Sequence, residues 1–209
     1  MPARVAVFID YQNCYSRARQ YFCSPNSPSY HGQFWPMRLA RALAATGRSS
    51  YQLDFVGAYC GTADPRKDPR TAAARQRQIA AWRRNGTTVA TRGLRYPGDW
   101  SRHPAIEKGI DVMIAIDFVT KAAANQFDVG VIASCDTDLA PAVEAVLDRP
   151  GPGRRPEVEL IVWAGRASRI GIPRRTIVYH EIGPAAYLNM QDLTDCNMYG
   201  ESSRKSSRS

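Results

Sequence analysis

Short apolar runs alternate along this chain with longer segments of helical periodicity. The runs at residues 4–9, 51–60, 87–91, 129–133, 157–164 and 176–180 have the length and composition of buried strands. Helical spacing is found at residues 14–22, 35–45, 71–85 and 107–124, and again after residue 138. Strands that alternate with helices predict a parallel sheet covered on both faces. The pattern therefore predicts an α/β fold, a three-layer α/β/α sandwich with a mainly parallel central sheet.

The chain is long enough for one sizeable hydrophobic core, and no linker-like stretch divides its middle. It has 209 residues, 44% of them hydrophobic. The pattern thins after residue 183, and residues 201–209 are basic, rich in serine and of low complexity. We predict one domain over residues 1–194 and a basic, disordered tail over residues 195–209.

The helix predicted at residues 107–124 carries apolar residues around nearly its whole circumference, which predicts deep burial. It also contains two aspartates that lie on different sides of the helix, so they cannot easily bind the same ion. Asp111 lies in the first turn, where its side chain can reach past the helix end. For Asp117 we expect a structural partner, either Lys121 one turn later or a buried backbone or arginine donor.

The formal net charge of +9 favours a polyanionic partner, most commonly nucleic acid. Scattered arginines that only keep the protein soluble would give the same balance, so composition leaves both interpretations open. The irregular segment at residues 92–104 combines Arg92 and Arg95 with Tyr96 and Trp100. Basic residues interleaved with aromatic ones suit phosphate contacts and base stacking on single-stranded nucleic acid, although such surface loops are also common without that role.

The cysteines and histidines indicate neither a disulfide framework nor a zinc site. The five cysteines are odd in number and scattered, and the three histidines lie at no zinc-site spacing. The amino terminus lacks a signal-peptide pattern, and no apolar run is long enough to span a membrane. We predict reduced thiols in a soluble, cytoplasmic protein without a membrane partner.

Carboxylates recur where predicted strands end and predicted helices begin. Asp10 follows the first strand, Asp136 and Asp138 follow the fourth, and Asp111 opens a helix. Open α/β sheets bind their ligands at the carboxyl ends of the strands, so these acids are expected to meet there. Oxygen-only ligands favour Mg²⁺ or Mn²⁺, which would neutralise the clustered charge. Taken alone, Asp10 is better explained as a helix N-cap, and Asn13 as a turn residue, than by a functional role.

Three segments together resemble the signatures of the NYN domain, a branch of the PIN-like nucleases (LabA/DUF88-type proteins). They are VAVFIDYQN at residues 5–13, EKGIDVMIAID at residues 107–117 and IASCDTDLAP at residues 132–141. The resemblance covers residues 4 to 182 and implies a PIN-like sandwich with metal-dependent ribonuclease activity. One departure is Cys135, which stands before Asp136 at a position that is usually glycine in the family.

Carried over by position, the resemblance gives each matching residue a role. Asp10, Asp111 and Asp136 match the metal-binding acids, with Asp138 as an accessory acid and Asn13 as a residue that orders the site. Lys108 precedes the helix acid, as it does in relatives.

The leading hypothesis is a Mg²⁺- or Mn²⁺-dependent endoribonuclease that cleaves single-stranded or structured RNA. Asp10, Asp111 and Asp136 would hold the ion, Asp138 would assist catalysis, and the phosphates would be contacted by Arg92, Arg95 and Lys108. One alternative is a catalytically inactive RNA-binding or adaptor module with the same fold. A weaker one is a hydrolase of small phosphate esters. The sequence leaves open whether the chain forms a homo-oligomer.

Overall fold

The computed structural model describes residues 1–44, 51–100, 102–149, 155–165 and 169–197. Its strands are β1 (Ala3–Asp10), β2 (Tyr51–Thr62), β3 (Thr88–Gly93), β4 (Val129–Ala133), β5 (Glu157–Trp163) and β6 (Val178–Ile182). Its helices are α1 (Tyr11–Phe22), α2 (Pro36–Ala44), α3 (Pro69–Arg84), α4 (Ile110–Ala123), α5 (Ala140–Leu147) and α6 (Pro184–Met190). Short 3₁₀ turns lie at Ser29–Gly32 and Thr137–Leu139. The predicted strands are all present, and the predicted helices correspond to α1 through α5.

The strands of the described ranges form one sheet in the order β3-β2-β1-β4-β5-β6. Every neighbouring pair in it is parallel, which confirms the predicted parallel sheet. The strand order reverses direction between β1 and β4, which lie side by side at the centre. In open α/β sheets, ligands bind at such a switch point, in the crevice outside the carboxyl ends of the strands. The topology therefore predicts a ligand site at the carboxyl ends of β1 and β4.

Alternate side chains of β1 point to opposite faces of the sheet and enter two separate hydrophobic clusters. Val5, Val7 and Ile9 pack with apolar residues of α1, α2, α3 and α6. Ala6 and Phe8 pack with α4 and α5 on the other face. Helices thus cover both faces, and the predicted three-layer sandwich is confirmed.

The expected deep burial of α4 is wrong. Ile110, Ile114 and Phe118 form the buried stripe of this helix, whereas Val112 is 52% exposed and Ile116 is 59% exposed. Positions four residues apart share one side of a helix, and only the side that faces the sheet is covered. The many apolar residues of α4 therefore do not imply that the helix is buried on every side.

Asp117 has a structural partner, but a different one from those expected. The hydroxyl group of Tyr59 on β2 donates a hydrogen bond of 2.6 Å to Asp117 Oδ2. Lys121 instead places its ammonium group 4.7 Å from the centre of the Phe55 ring. The sequence could not indicate this bond, because its two residues are 58 positions apart along the chain and meet only in the folded protein.

The carboxyl-terminal part of the described chain is more ordered than its sequence pattern indicates. Helix α6 lies beyond residue 183 and packs Tyr187 and Met190 into the core. Cys196 is buried, two residues past the predicted domain boundary, and residues 198–209 lie outside the described ranges. Within the described ranges, none of the helices combines the length and apolarity that a membrane span requires.

Candidate active site

A cavity of about 350 Å³ opens at the carboxyl end of the sheet, beside the ends of β1 and β4. It brings together three carboxylates that lie far apart in the sequence: Asp10, Asp111 and Asp136. A fourth, Glu107, also lines it, together with polar groups of α1 and the start of α4. The remaining lining residues are Gln12, Asn13, Ser16, Arg17, Gly109 and Ile110.

Asp10 ends β1 and at the same time caps α1. Its Oδ1 atom accepts a hydrogen bond of 3.1 Å from the backbone N–H of Asn13, so the N-cap interpretation and the placement in the cavity both apply. Only 6% of Asp10 is exposed. Burial, reinforced by the negative charges of Glu107 and Asp136, raises its pKa to about 6, although hydrogen bonds from Asn13 and Ser134 act in the opposite direction. The site therefore disfavours the ionised form of Asp10 unless a cation lies nearby.

Ser134 links the carboxylate of Asp10 to the backbone of Asp136. Its hydroxyl group donates a hydrogen bond of 3.3 Å to Asp10 Oδ2 and accepts one of 3.1 Å from the backbone N–H of Asp136. The residue is almost completely buried. Sequence reasoning assigned Ser134 no role, although a hydroxyl two residues before an aspartate at a strand end was a usable signal.

Asn13 also lines the cavity and bonds to the segment that follows β4. Its Oδ1 atom accepts a hydrogen bond of 3.0 Å from the backbone N–H of Cys135. The amide side chain of α1 thereby holds the loop that follows β4. Asp136 Oδ1 in turn accepts a hydrogen bond of 3.0 Å from the backbone N–H of Asp138. These bonds fix the backbone around Asp136 and leave its carboxylate at the cavity.

Glu107 is the carboxylate that sequence reasoning missed. It lies before α4, not within it, and its Oε1 atom accepts a hydrogen bond from the backbone N–H of Gly61 at the end of β2. A Cβ atom at position 61 would lie 2.6 Å from that oxygen, so glycine is required for this close approach. Burial raises the pKa of Glu107, although the Gly61 N–H and the charge of Arg75 oppose the shift.

Asp111 lies in the first turn of α4, as expected, and reaches the cavity from that helix. The turn before it depends on Gly109, whose φ of 76° is in the left-handed region that favours glycine. Arg92 packs over this glycine, since a Cβ atom there would lie 3.2 Å from one of its guanidinium nitrogens. Arg92 therefore lies at the rim of the cavity.

The other predicted site residues are not among those that line the cavity. Asp138 is exposed in the short 3₁₀ turn after β4, and Lys108 is exposed beside Gly109. Arg95 is also exposed, and its backbone pairs with that of Ile106. By contrast Arg17 on α1, to which the sequence gave no role, lines the cavity.

The donor set suits a hard divalent cation, because all its charged ligands are carboxylates. In the part of the chain that the structure describes, none of the four cavity carboxylates forms an ion pair. Nor do any three Asp, Glu, His or Cys side chains of these residues stand close enough together to form a ready-made metal cluster. Three carboxylates are instead turned towards backbone N–H groups, those of Asn13, Gly61 and Asp138. Each such bond uses only part of the acceptor capacity of a carboxylate, so the remaining lone pairs could still coordinate an ion.

Comparison with known proteins identifies a family for this chain. The NYN domain model matches residues 4–151. Among solved structures, the chain is similar to a protein of unknown function from Vibrio parahaemolyticus RIMD 2210633, with a TM-score of 0.58 and 20% sequence identity. That similarity covers 87% of this chain and 93% of the other, and it supports the fold alone. No curated protein matches the chain.

Proposed function

The chain belongs to the NYN domain family of the PIN-like superfamily, whose fold is nuclease-like, and from this premise we propose that it is a divalent-metal-dependent endoribonuclease. The substrate is RNA, single-stranded or structured, and the reaction is hydrolysis of a phosphodiester bond. One observation carries the proposal: carboxylates from separate parts of the chain line one cavity at the switch point of the sheet, and none of them is neutralised there by an ion pair among the described residues.

Asp10, Asp111 and Asp136 would hold Mg²⁺ or Mn²⁺, and Glu107 joins them as a fourth candidate ligand. A bound ion of this kind supplies charge neutralisation for the scissile phosphate and lowers the pKa of a bound water molecule. Ser134 keeps the backbone of Asp136 and the carboxylate of Asp10 in a fixed relation.

Two arginines are placed to bind the RNA backbone. Arg17 lines the cavity and Arg92 lies at its rim, so both guanidinium groups can contact phosphates next to the scissile one. Arg95 and Lys108 are exposed, and their phosphate contacts remain a prediction. The accessory role of Asp138 likewise remains a prediction.

The test is a cleavage assay with mixed RNA and single-stranded DNA in Mn²⁺, Mg²⁺ or EDTA. We expect RNA cleavage with either ion, none in EDTA, and a loss of at least a hundredfold in Asp136→Asn, the range that follows loss of one charge-stabilising group. Asp136→Asn preserves the acceptor of the Asp138 N–H, so the variant should remain folded.

Asp54→Asn is the matched control. It removes an exposed carboxylate from the amino half of β2, far from the cavity, and should leave cleavage unchanged. Cleavage that persists in EDTA or in Asp136→Asn would contradict the proposed function.

The absence of a ready-made metal cluster among the described residues favours one alternative, an inactive RNA-binding module. Such a module would bind RNA with the steep salt dependence of phosphate contacts and with no need for a divalent ion. RNA binding without cleavage, equal in EDTA and Mn²⁺, would identify it. A cytoplasmic location and the oligomeric state also remain predictions.

A further inference from the structure

A second cavity, of about 250 Å³, lies on the other side of the first turns of α1. Tyr11 and Tyr15, one helical turn apart, line this cavity, whereas Gln12 and Ser16 line the acidic one. Its other lining residues are Ser29, Gln33, Thr71, Ala74, Arg75, Gln78, Cys196 and Asn197. Because Asp10 and Tyr11 are consecutive residues, the two cavities are neighbours.

Arg75 connects the two cavities electrostatically. It lines the second cavity, where its guanidinium carbon lies 5.5 Å from the centre of the Tyr11 ring. Its positive charge also lowers the pKa of Glu107 against the larger effect of burial, so the acidic cavity is within reach of its field. A planar cation next to aromatic rings is a surface on which nucleobases stack.

The floor of the second cavity is rigid and its polar groups are paired. Gln78 is 4% exposed, and its Nε2 atom donates a hydrogen bond of 3.2 Å to the hydroxyl oxygen of Tyr11. Its Oε1 atom accepts one of 2.7 Å from Arg75. The amide of Gln78 is therefore fixed at both ends and holds Arg75 in place.

Gln33 is different, because its side-chain oxygen is buried without a hydrogen-bond partner among the described residues. Its backbone is anchored, since its carbonyl oxygen accepts a hydrogen bond of 2.9 Å from Asp192. A buried acceptor left unpaired costs roughly 1–3 kcal/mol, so such groups usually have a reason. This oxygen has almost no exposed surface, so a ligand in the cavity could contact only other atoms of the Gln33 side chain.

The rim of the cavity is held by the carboxyl-terminal segment of the described chain. Arg77 donates two hydrogen bonds, of 3.0 and 2.6 Å, to the carbonyl oxygen of Cys196. This clamp keeps Asn197, a second amide, at the cavity. On the opposite side, Tyr15 is fixed by the hydrogen bond of 2.9 Å that it donates to the carbonyl oxygen of Ser29.

We propose that this cavity is a nucleobase subsite, which receives one base of the RNA strand whose backbone passes the acidic cavity. Its volume is below the roughly 300 Å³ at which pockets for drug-sized ligands begin, so it suits a base and not a whole nucleotide. Arg75 and Tyr15 supply planar surfaces on which a base of any identity can stack, and Asn197 supplies an amide at the cavity. This inference rests on the proposed function for the strand, but it can be tested without cleavage.

The test measures binding of AMP, CMP, UMP and inorganic phosphate in EDTA to the full chain. Ala74→Phe fills the cavity from α3, and Ala80→Phe, exposed on the same helix outside the lining, is its control. We expect AMP, CMP and UMP to bind at least tenfold more tightly than phosphate, and Ala74→Phe alone to abolish that difference. In Arg75→Leu, which removes a stacking surface, the nucleotides should lose affinity, whereas Arg84→Leu, exposed on the same helix outside the lining, should not change it.

Equal affinities for nucleotides and phosphate would overturn the subsite, as would full retention of base affinity in Ala74→Phe. The cleavage assay separates this failure from that of the proposed function. If RNA is cleaved by wild type and by Ala74→Phe with the same KM and the same base preference, the subsite is wrong and the nuclease stands. If base binding depends on Ala74 but no cleavage occurs with any ion, the subsite stands and the nuclease is wrong.

Discussion

Carboxylates at the two ends of the central sheet have opposite electrostatic surroundings. At the amino end, Asp128 accepts hydrogen bonds from the backbone N–H, Nε and one terminal nitrogen of Arg4, at 2.9, 3.2 and 3.0 Å. At the carboxyl end, Asp10, Glu107 and Asp136 lie close enough for the charges of the other two to raise the pKa of Asp10. The same strand, β1, carries both arrangements, with Arg4 near its start and Asp10 at its end.

The difference separates carboxylates that stabilise the fold from carboxylates available for chemistry. A carboxylate paired with its own arginine is neutralised and needs nothing else. Carboxylates that face one another destabilise the protein until a proton or a cation joins them. Their retention at one cavity is therefore better explained by a ligand than by stability, and the following variants test that explanation.

The largest expected effect is that of Glu107→Gln on cleavage. The amide can still accept the hydrogen bond from Gly61, but the negative charge is lost from the cavity. We expect RNA cleavage to fall roughly 10²–10³-fold with little change in unfolding.

Glu159→Gln is the control for that experiment, because Glu159 is a buried glutamate outside the cavity. It contacts His180 at 2.6 Å and accepts a hydrogen bond of 2.9 Å from Tyr51. Its substitution should lower the free energy of unfolding and leave cleavage per folded molecule unchanged. Equal cleavage rates for wild type and Glu107→Gln would show that Glu107 is not a metal ligand.

Asp10→Asn should stabilise the metal-free protein at neutral pH. Folding raises the pKa of Asp10 from its ordinary 3.8 to about 6, so the folded state binds this proton more tightly than the unfolded state does. The resulting loss of stability is absent below about pH 4, grows as the pH rises towards 6 and is complete above it. Two pKa units correspond to roughly 3 kcal/mol at most, and asparagine, which carries no charge, avoids that loss.

Urea unfolding in EDTA measures this prediction at pH 4 and pH 7.5. The variant should exceed wild type in unfolding free energy at pH 7.5 and match it at pH 4. Mn²⁺ should then stabilise wild type more than the variant. An equal difference at both pH values would show that the charge of Asp10 is not its cause.

Asp128→Asn is expected to have the smallest effect. It removes the charge that pairs with Arg4 but keeps an acceptor for the backbone N–H. Both side chains are partly exposed, so solvent already weakens the pair. The midpoint of thermal unfolding should fall by no more than a few degrees, and cleavage should not change. A cleavage defect in Asp128→Asn would contradict the purely structural role of this carboxylate.

The sheet was predictable because β1 and β4 are continuous apolar runs, a pattern typical of buried parallel strands. Alternation with helices predicted the parallel topology, and the topology placed Asp10 and Asp136 together. The exposed side of α4 was not predictable in the same way. Val112 and Ile116 have apolar side chains, and only the arrangement of the layers decides which of them is covered.

The residues that complete the cavity depend on contacts between distant segments. Glu107 was placed inside a helix, but the chain there is irregular, and its direction is set by Gly61 at the end of β2. The burial of the Gln33 side-chain oxygen is likewise a property of the folded chain. Local periodicity carries no information on either contact.

Strand pairing has a geometric consequence for Asp10 and Asp136. Neighbouring strands are held about 4.8 Å apart by their main-chain hydrogen bonds, and β1 and β4 pair in register up to Ile9 and Ala133. Asp10 and Ser134 are the next residues on the two strands, and the Ser134 hydroxyl bonds both the Asp10 carboxylate and the backbone N–H of Asp136, so one serine ties Asp136 to this strand pair. Repacking of apolar side chains elsewhere in the layers can therefore change the stability of the protein while these hydrogen bonds persist.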